Sequence, residues 1–210
     1  TRYGTVTGVQ TCALPIFSSV LVEKYLDLFN TYLNAIHAKQ KSKDADKKRN
    51  ALNSVKILKI CSQINEELRQ KQKIIVLIRI FEFIQSNERI QDQELEFVTI
   101  VSEAFNISKE EFELIFAFVF NDEPTLIKSE HALFVSRHAQ GPERSLHLEG
   151  LDHDIVVLHV ESVNILFFKY SGQDALNLNG QFINNERTHI FTQGSSLKTS
   201  KSKQIGRAHV

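Results

Sequence analysis

From Phe17 to about Asn121 the apolar residues recur at helical intervals, and beyond Asn121 they alternate in twos. Val20, Leu21, Tyr25, Leu28, Phe29, Tyr32, Leu33 and Ile36 fall three and four apart, which places them on one helix face. The stretch Lys39–Asn50 breaks that pattern with lysines, aspartates and an arginine, and is expected to be a solvated loop. A second helix should carry Val55, Leu58, Ile60, Cys61, Ile64 and Leu68. A third, about Lys71–Gln85, is apolar on nearly every side. Its β-branched residues would suit a strand, but Arg79, Glu82 and Gln85 fall at a helical spacing. A helix this apolar is usually the buried centre of a bundle.

The fourth helix starts near Asp92 and runs through Phe97, Ile100, Val101 and Ala104-Phe105. Asn106 is placed to stop it, because Asn tolerates the left-handed conformation there. Ser108-Lys109-Glu110-Glu111 forms a capping box in which the Ser108 hydroxyl accepts from the third amide and Glu111 reaches back. A fifth helix carries Phe112, Ile115, Phe116, Val119 and Phe120. Pro124 cannot continue it and biases Glu123 towards an extended conformation. The domain boundary is therefore expected within Asn121–Glu130, with 122–130 as linker.

After the boundary, Ile155–Val160 and Val163–Tyr170 are β-branched and aromatic runs separated by the turn Glu161-Ser162. Ser171-Gly172-Gln173-Asp174 is another turn, and Leu176 and Leu178 alternate with Asn177 and Asn179. Asn179-Gly180 is a strong hairpin signal, since a type I′ turn needs positive φ at both positions. Shorter strands should lie near Leu133–Ser136, Ser145–Glu149, Thr188–Thr192 and Ser196–Lys198. The fold class is thus α+β in two domains: an all-α bundle over 17–121, then a small antiparallel β-sandwich over 131–203, truncated near its last strand with an open edge.

The two ends read differently. Thr7–Ile16 and Gln204–Val210 look like translations of a sequencing adapter, one on each strand. Residues 1–16 and 204–210 are therefore expected to be adapter-derived, and fold reasoning is confined to Phe17–Lys203.

Composition adds bounds. The 210 residues are 42% hydrophobic and 24% charged, as in an ordinary globular chain. The 25 basic residues balance 25 acidic ones, which argues against nucleic acid as a whole-chain partner. Cys61 is the one cysteine outside the suspected adapter, so neither an internal disulfide nor a cysteine-rich zinc site is expected. Its apolar neighbours Ile57, Leu58 and Ile64 mark it as a core residue, and a reducing cytoplasmic setting fits. The run Ile74–Ile78 is too short to span a bilayer.

The chain has no Gly-x-x-x-x-Gly-Lys-Ser/Thr loop, no Gly-x-Ser-x-Gly elbow and no His-Glu-x-x-His. No catalytic residue is assigned. His147, His153 and His159 recur every sixth position, but Gly150-Leu151-Asp152 should interrupt any common strand, leaving scattered surface histidines. The turn Asn87-Glu88-Arg89-Ile90, with Glu94 in the next helix, could offer oxygen ligands to a hard cation; Asn87 and Glu94 are the candidate metal ligands. The alternative is a polar turn followed by acids that complement the helix dipole.

Ser86–Ile115 resembles the second half of TerB-like domains of the tellurite-resistance family. Ile90, Glu94, Ile107, Ser108 and Phe112 keep that family's frame, while Asn87 and Glu88 depart from its Asp-Gly. Leu176–Lys198 is similar to the last strands of forkhead-associated (FHA) domains, with Asn179, Gly180, Ile183, Asn184 and Gly194 in frame. The phosphate-gripping arginine of FHA domains has no equivalent, which implies an FHA-like scaffold without phosphopeptide binding. A TerB-like module followed by an FHA-like one resembles the N-terminal region of large bacterial ABC-transporter ATP-binding proteins.

That resemblance implies a non-catalytic cytoplasmic regulatory or interaction region. Its partners would be proteins or other domains of the same chain, and ATP and Mg²⁺ would belong to a part of the parent outside this sequence. A metal-binding stress protein and a phosphopeptide-binding FHA module are the alternatives it leaves.

The cap gives the first test. Ser108→Ala should lower stability by about 1 kcal/mol in urea denaturation.

Overall fold

The structure is a computed structural model. It describes residues 27, 28, 31, 46–86, 90–121, 127, 130–136, 144–148, 151–185, 187–192, 194–199 and 206–207. Asp27, Leu28 and Thr31 are helical, in line with the first apolar stripe. The rest of Phe17–Ile36, and Pro124, lie outside the described residues.

The helices are α1 (Asp46–Glu67), α2 (Gln70–Gln85), α3 (Asp92–Ala104) and α4 (Lys109–Phe120). The first of them starts inside the expected loop Lys39–Asn50, which corrects the end of that segment. Lys and Arg are good helix formers, and an Asp at the start complements the dipole, so Asp46-Lys47-Lys48-Arg49 interrupts the apolar stripe without interrupting the backbone. The stripe itself also shifts. Ile57, Cys61, Ile64 and Leu68 are buried at helical steps, whereas Val55 and Leu58 are 63% and 49% exposed. Cys61 is buried, and desolvation pushes its thiol up to about 12.

The central position expected of α2 is observed, with Ile74 through Ile78, Ile80, Phe81 and Ile84 all buried. Phe81 meets the rings of Phe112, Phe116 and Phe120 edge-on, at centroid distances of 5.4, 5.6 and 5.7 Å. Such pairs add to simple area burial because ring edge and ring face carry opposite partial charge.

Chain termination follows the local signals. Asn106 takes φ 54° directly after α3. Asn65 Nδ2 and Gln70 Nε2 donate to the carbonyls of Ala104 and Phe105 at 2.7 and 2.9 Å, which satisfies groups that a helix end leaves open. Ser108 caps α4, its Oγ accepting from the Glu111 amide at 3.2 Å. The Glu111 carboxylate does not complete the expected reciprocal bond.

Among the described residues the strands that follow are β1 (Ala132–Ser136), β2 (Ser145–His147), β3 (Ile155–Val160), β4 (Ile165–Tyr170), β5 (Leu176–Leu178), β6 (Gln181–Phe182), β7 (His189–Phe191), β8 (Ser196–Thr199) and β9 (Gly206–Arg207). One sheet has the order β2-β1-β3-β4-β7 and the other β6-β5-β8-β9. The sandwich is not purely antiparallel, because β2 runs parallel to β1 with Phe134 opposite Ser145. The expected open edge of β8 is likewise occupied: β9, within the segment set aside as adapter-derived, pairs with it antiparallel.

The five-stranded sheet is the middle layer of three. Ala132, Phe134, Val156, Leu158, Val160, Ile165 and Phe167 join the core of the helices. Val135, Ile155, Val157, Phe168 and Tyr170 face the second sheet, with Leu176 and Leu197. Alternation along each strand thus splits one apolar run between two cores, as in sheets covered on both faces. Ile127, in the expected linker, is 3% exposed and belongs to the helix-side core. No helix among the described residues is long and apolar enough to cross a membrane.

Removing the Phe81 ring leaves a void at the centre of this arrangement. Phe81→Ala should cost about 3–5 kcal/mol in urea denaturation, against less than about 0.5 kcal/mol for Leu58→Ala on the exposed face of α1.

Candidate functional site

Strand parity decides what the helix–sheet junction contains. Along β4, Ile165 and Phe167 turn to the helices, so Lys169 does too. It is 8% exposed, and its Nζ donates to the carbonyls of Val119, at 3.4 Å, and Asn121. These carbonyls end α4, where the helix dipole favours a cation. The ammonium also lies 5.8 Å from the Phe118 ring centroid. Gln85 Nε2 donates to the same Val119 carbonyl at 3.0 Å, and Asn121 Nδ2 to that of Ala117 at 2.9 Å.

Glu82 makes the reciprocal link from α2 to the sheet. Its Oε1 accepts from the Thr188 amide at 2.6 Å, ahead of β7, and its Oε2 from Arg79 Nη1 at 2.6 Å. His189 Nε2 lies 2.7 Å from the Asn184 carbonyl, and its ring rests on Phe168. Burial lowers the His189 pKa and keeps the ring neutral; the Asn184 bond opposes this and nearby Arg79 assists it.

Between these links opens a cleft of about 910 Å³. Glu82, Gln85, Val119 and Lys169 form its inner side, and the loop around Gly172 with residues 182–185, 187 and 188 forms its rim. Phe182 stands 76% exposed on that rim. Arg187 is exposed and makes no ion pair among the described residues. Both carboxylate oxygens of Glu82 are already engaged, so Arg187 is the open charge among the described residues of the cleft.

Beside the cleft, Asp152 organises the β4–β5 turn. Its carboxylate accepts from Tyr170 OH and from the amides of Gln173 and of Asp174, the last at 3.0 Å. Asn185 Nδ2 closes the same loop on the carbonyls of Gly172 and Asp174 at 2.8 and 3.0 Å. A Cβ at Gly172 would run into Asp152 Oδ1 and the Tyr170 ring, so any larger residue there has to displace that hydrogen-bonded pair. Burial works against the Asp152 charge, but the three donated bonds outweigh it and hold its pKa below the usual value. Burial first, and then the bond to Asp152, raises the Tyr170 pKa.

A second cleft, of about 580 Å³, lies between α4 and the β3–β4 corner, with Glu110, Glu111, Glu113, His131, His159 and Glu161 on its walls. His131 Nδ1 is 3.3 Å from Glu161 Oε1, and His159 Nε2 is 2.9 Å from Asn164 Oδ1.

The residues singled out from sequence have other placements. Glu94 is fully buried, and its Oε2 accepts from the Gln91 amide at 2.9 Å, capping α3. Asn87 lies outside the described residues. Among the described residues no three His, Cys, Asp or Glu side chains converge as a metal site. Asn179 and Gly180 take φ 53° and 87° in the expected two-residue turn of the β5–β6 hairpin. Asn179 Oδ1 also accepts from the Ser196 amide at 2.8 Å, which ties the hairpin to β8. Ser108, Glu111, Asn179 and Gly180 are therefore turn and cap residues outside the junction cleft. Lys169, Arg187 and Asp152 were not anticipated. The one legible signal was Lys169 itself, a lone charge in the run Ile165–Tyr170.

No family model matches the chain, and neither a curated protein nor a solved structure matches it.

Asp152→Asn tests the loop anchor. A lowered folded-state pKa means that the stabilisation is present above the unfolded value of about 3.9 and is lost as pH falls through the folded value. Urea denaturation should find the variant weaker by about 1–2 kcal/mol at pH 7, with the gap closing as pH falls below the unfolded value.

Proposed function

We propose that this chain is a non-catalytic interaction region of a bacterial ABC-transporter ATP-binding protein, acting at the cytoplasmic side and docking other domains or proteins. The observation that carries the reading is the junction cleft. Its walls come from α2 and α4 on one side and from the β4–β5 and β6–β7 loops on the other, so it exists only when helices and sheets are packed together. A surface assembled from both halves suits recognition, and the side chains that build it are spent on holding backbone groups rather than left free to react. Lys169 holds helix carbonyls, Glu82 holds an amide and a guanidinium, and Asp152 holds a turn. The order of a TerB-like and then an FHA-like segment supports the choice of parent protein. ATP and Mg²⁺ would act in the parent's nucleotide-binding domain.

The decisive experiment recovers the reading frame downstream of this segment in the source DNA. A phosphate-loop motif of the Gly-x-x-x-x-Gly-Lys-Ser/Thr type is expected in the same frame. A complete downstream frame without one overturns the assignment.

A further inference from the structure

We infer that the open edge of β6, with the cleft beside it, receives an extended acidic peptide segment. The inference deepens the interaction-region reading by naming the chemistry of the partner, and it does not depend on which parent protein carries the region.

Backbone geometry supplies the first argument. Among the described residues, strand β6 is the outer strand of the second sheet. Leu178 opposes Gln181 next to the two-residue turn, and Ile183 N donates to Leu176 O at 3.1 Å. Phe182, opposite Asn177, is therefore the non-hydrogen-bonded position between them. Its N–H and C=O point away from β5, towards the open edge. An extended chain that pairs there gains main-chain hydrogen bonds without displacing any existing one.

Shape and charge select the occupant. Phe182 is 76% exposed on the rim, a flat apolar surface beside the unpaired backbone groups. The adjoining volume of about 910 Å³ is of the size that binding sites use. Arg187 projects from the loop that follows β6 and has no acidic partner among the described residues. Glu82, the cleft's carboxylate, is held by Thr188 N and Arg79. An acidic side chain on the incoming strand meets the guanidinium, while a basic one finds no open carboxylate among the described residues. Asn185 and Asp152 keep the opposite rim in place through the loop bonds already described.

The test is a fluorescence-anisotropy titration of the full chain with a labelled peptide alternating glutamate and valine. The controls are the lysine–valine peptide and a backbone N-methylated form of the glutamate peptide. Saturable binding of the glutamate peptide alone is expected. Arg187→Glu should weaken it by about fivefold or more, and higher salt should weaken it further. Phe182→Pro should weaken it similarly. Its missing N–H is the outward one, so the hairpin keeps its own bonds, as an unchanged circular dichroism spectrum would verify. Equal binding of the lysine peptide or of the N-methylated peptide, absence of saturation, or full affinity in Arg187→Glu overturns the inference. A phosphate-loop motif downstream combined with no peptide binding would end this inference and leave the interaction-region reading standing.

Discussion

Burial of the β3–β4 ribbon on both faces is the constraint on which the rest of the structure depends. Val156, Leu158 and Val160 need a cover on one side, and Ile155, Val157 and Phe168 need one on the other. Neither the helices nor the second sheet alone provides both. A sheet buried on one face only would leave a contiguous apolar surface in water, at a cost of roughly 25 cal/mol per Å² of apolar area. The three-layer order, helices then five strands then four, is the arrangement that removes both faces from water. It also explains why a single hydrophobic cluster runs from Ile57 to Phe167 across the segment that sequence marks as a boundary.

The same layering creates a polar problem, and its solution shapes the junction. Helix ends that abut a sheet carry carbonyls shielded from water, and each needs a donor. Asn65 and Gln70 serve the end of α3, while Gln85, Asn121 and Lys169 serve the end of α4. Lys169 is costly to bury and is retained where the helix dipole and two carbonyls offset that cost. Glu82 performs the converse task, taking the Thr188 amide from the sheet side. Such directional bonds hold the layers in one register, and the cleft is the space left between them.

Legibility of the candidate site divides along the same line. Asn106, Ser108, Asn179 and Gly180 could be read in advance because their roles are local: each needs only its neighbours' backbone to cap a helix or close a turn. Glu94 could be read as the acid opening a helix, but its complete burial could not, since that depends on what packs over α3. The junction residues resisted sequence reading because their partners are remote. Glu82 bonds Thr188, Lys169 bonds Val119, and Tyr170 bonds Asp152. Arg187 looks like any exposed loop arginine until the cleft places it beside an unpaired strand edge.

By itself the sequence determined the helices between Asp46 and Phe120, the longer strands of the second half, and the hairpin at Asn179-Gly180, because period and turn chemistry are properties of neighbouring residues. It set Lys71–Gln85 as a helix to be buried, and Ile155–Val160 and Val163–Tyr170 as β-branched and aromatic strands. Tertiary structure alone decided the rest. It chose which apolar residues of α1 turn inward, leaving Val55 and Leu58 outside, and it set β2 parallel to β1. It divided the β3–β4 residues between two cores and brought Lys169, Glu82 and Arg187 to one cleft. Those outcomes rest on contacts between segments distant along the chain, and a period in sequence carries no information about which distant surface will cover it.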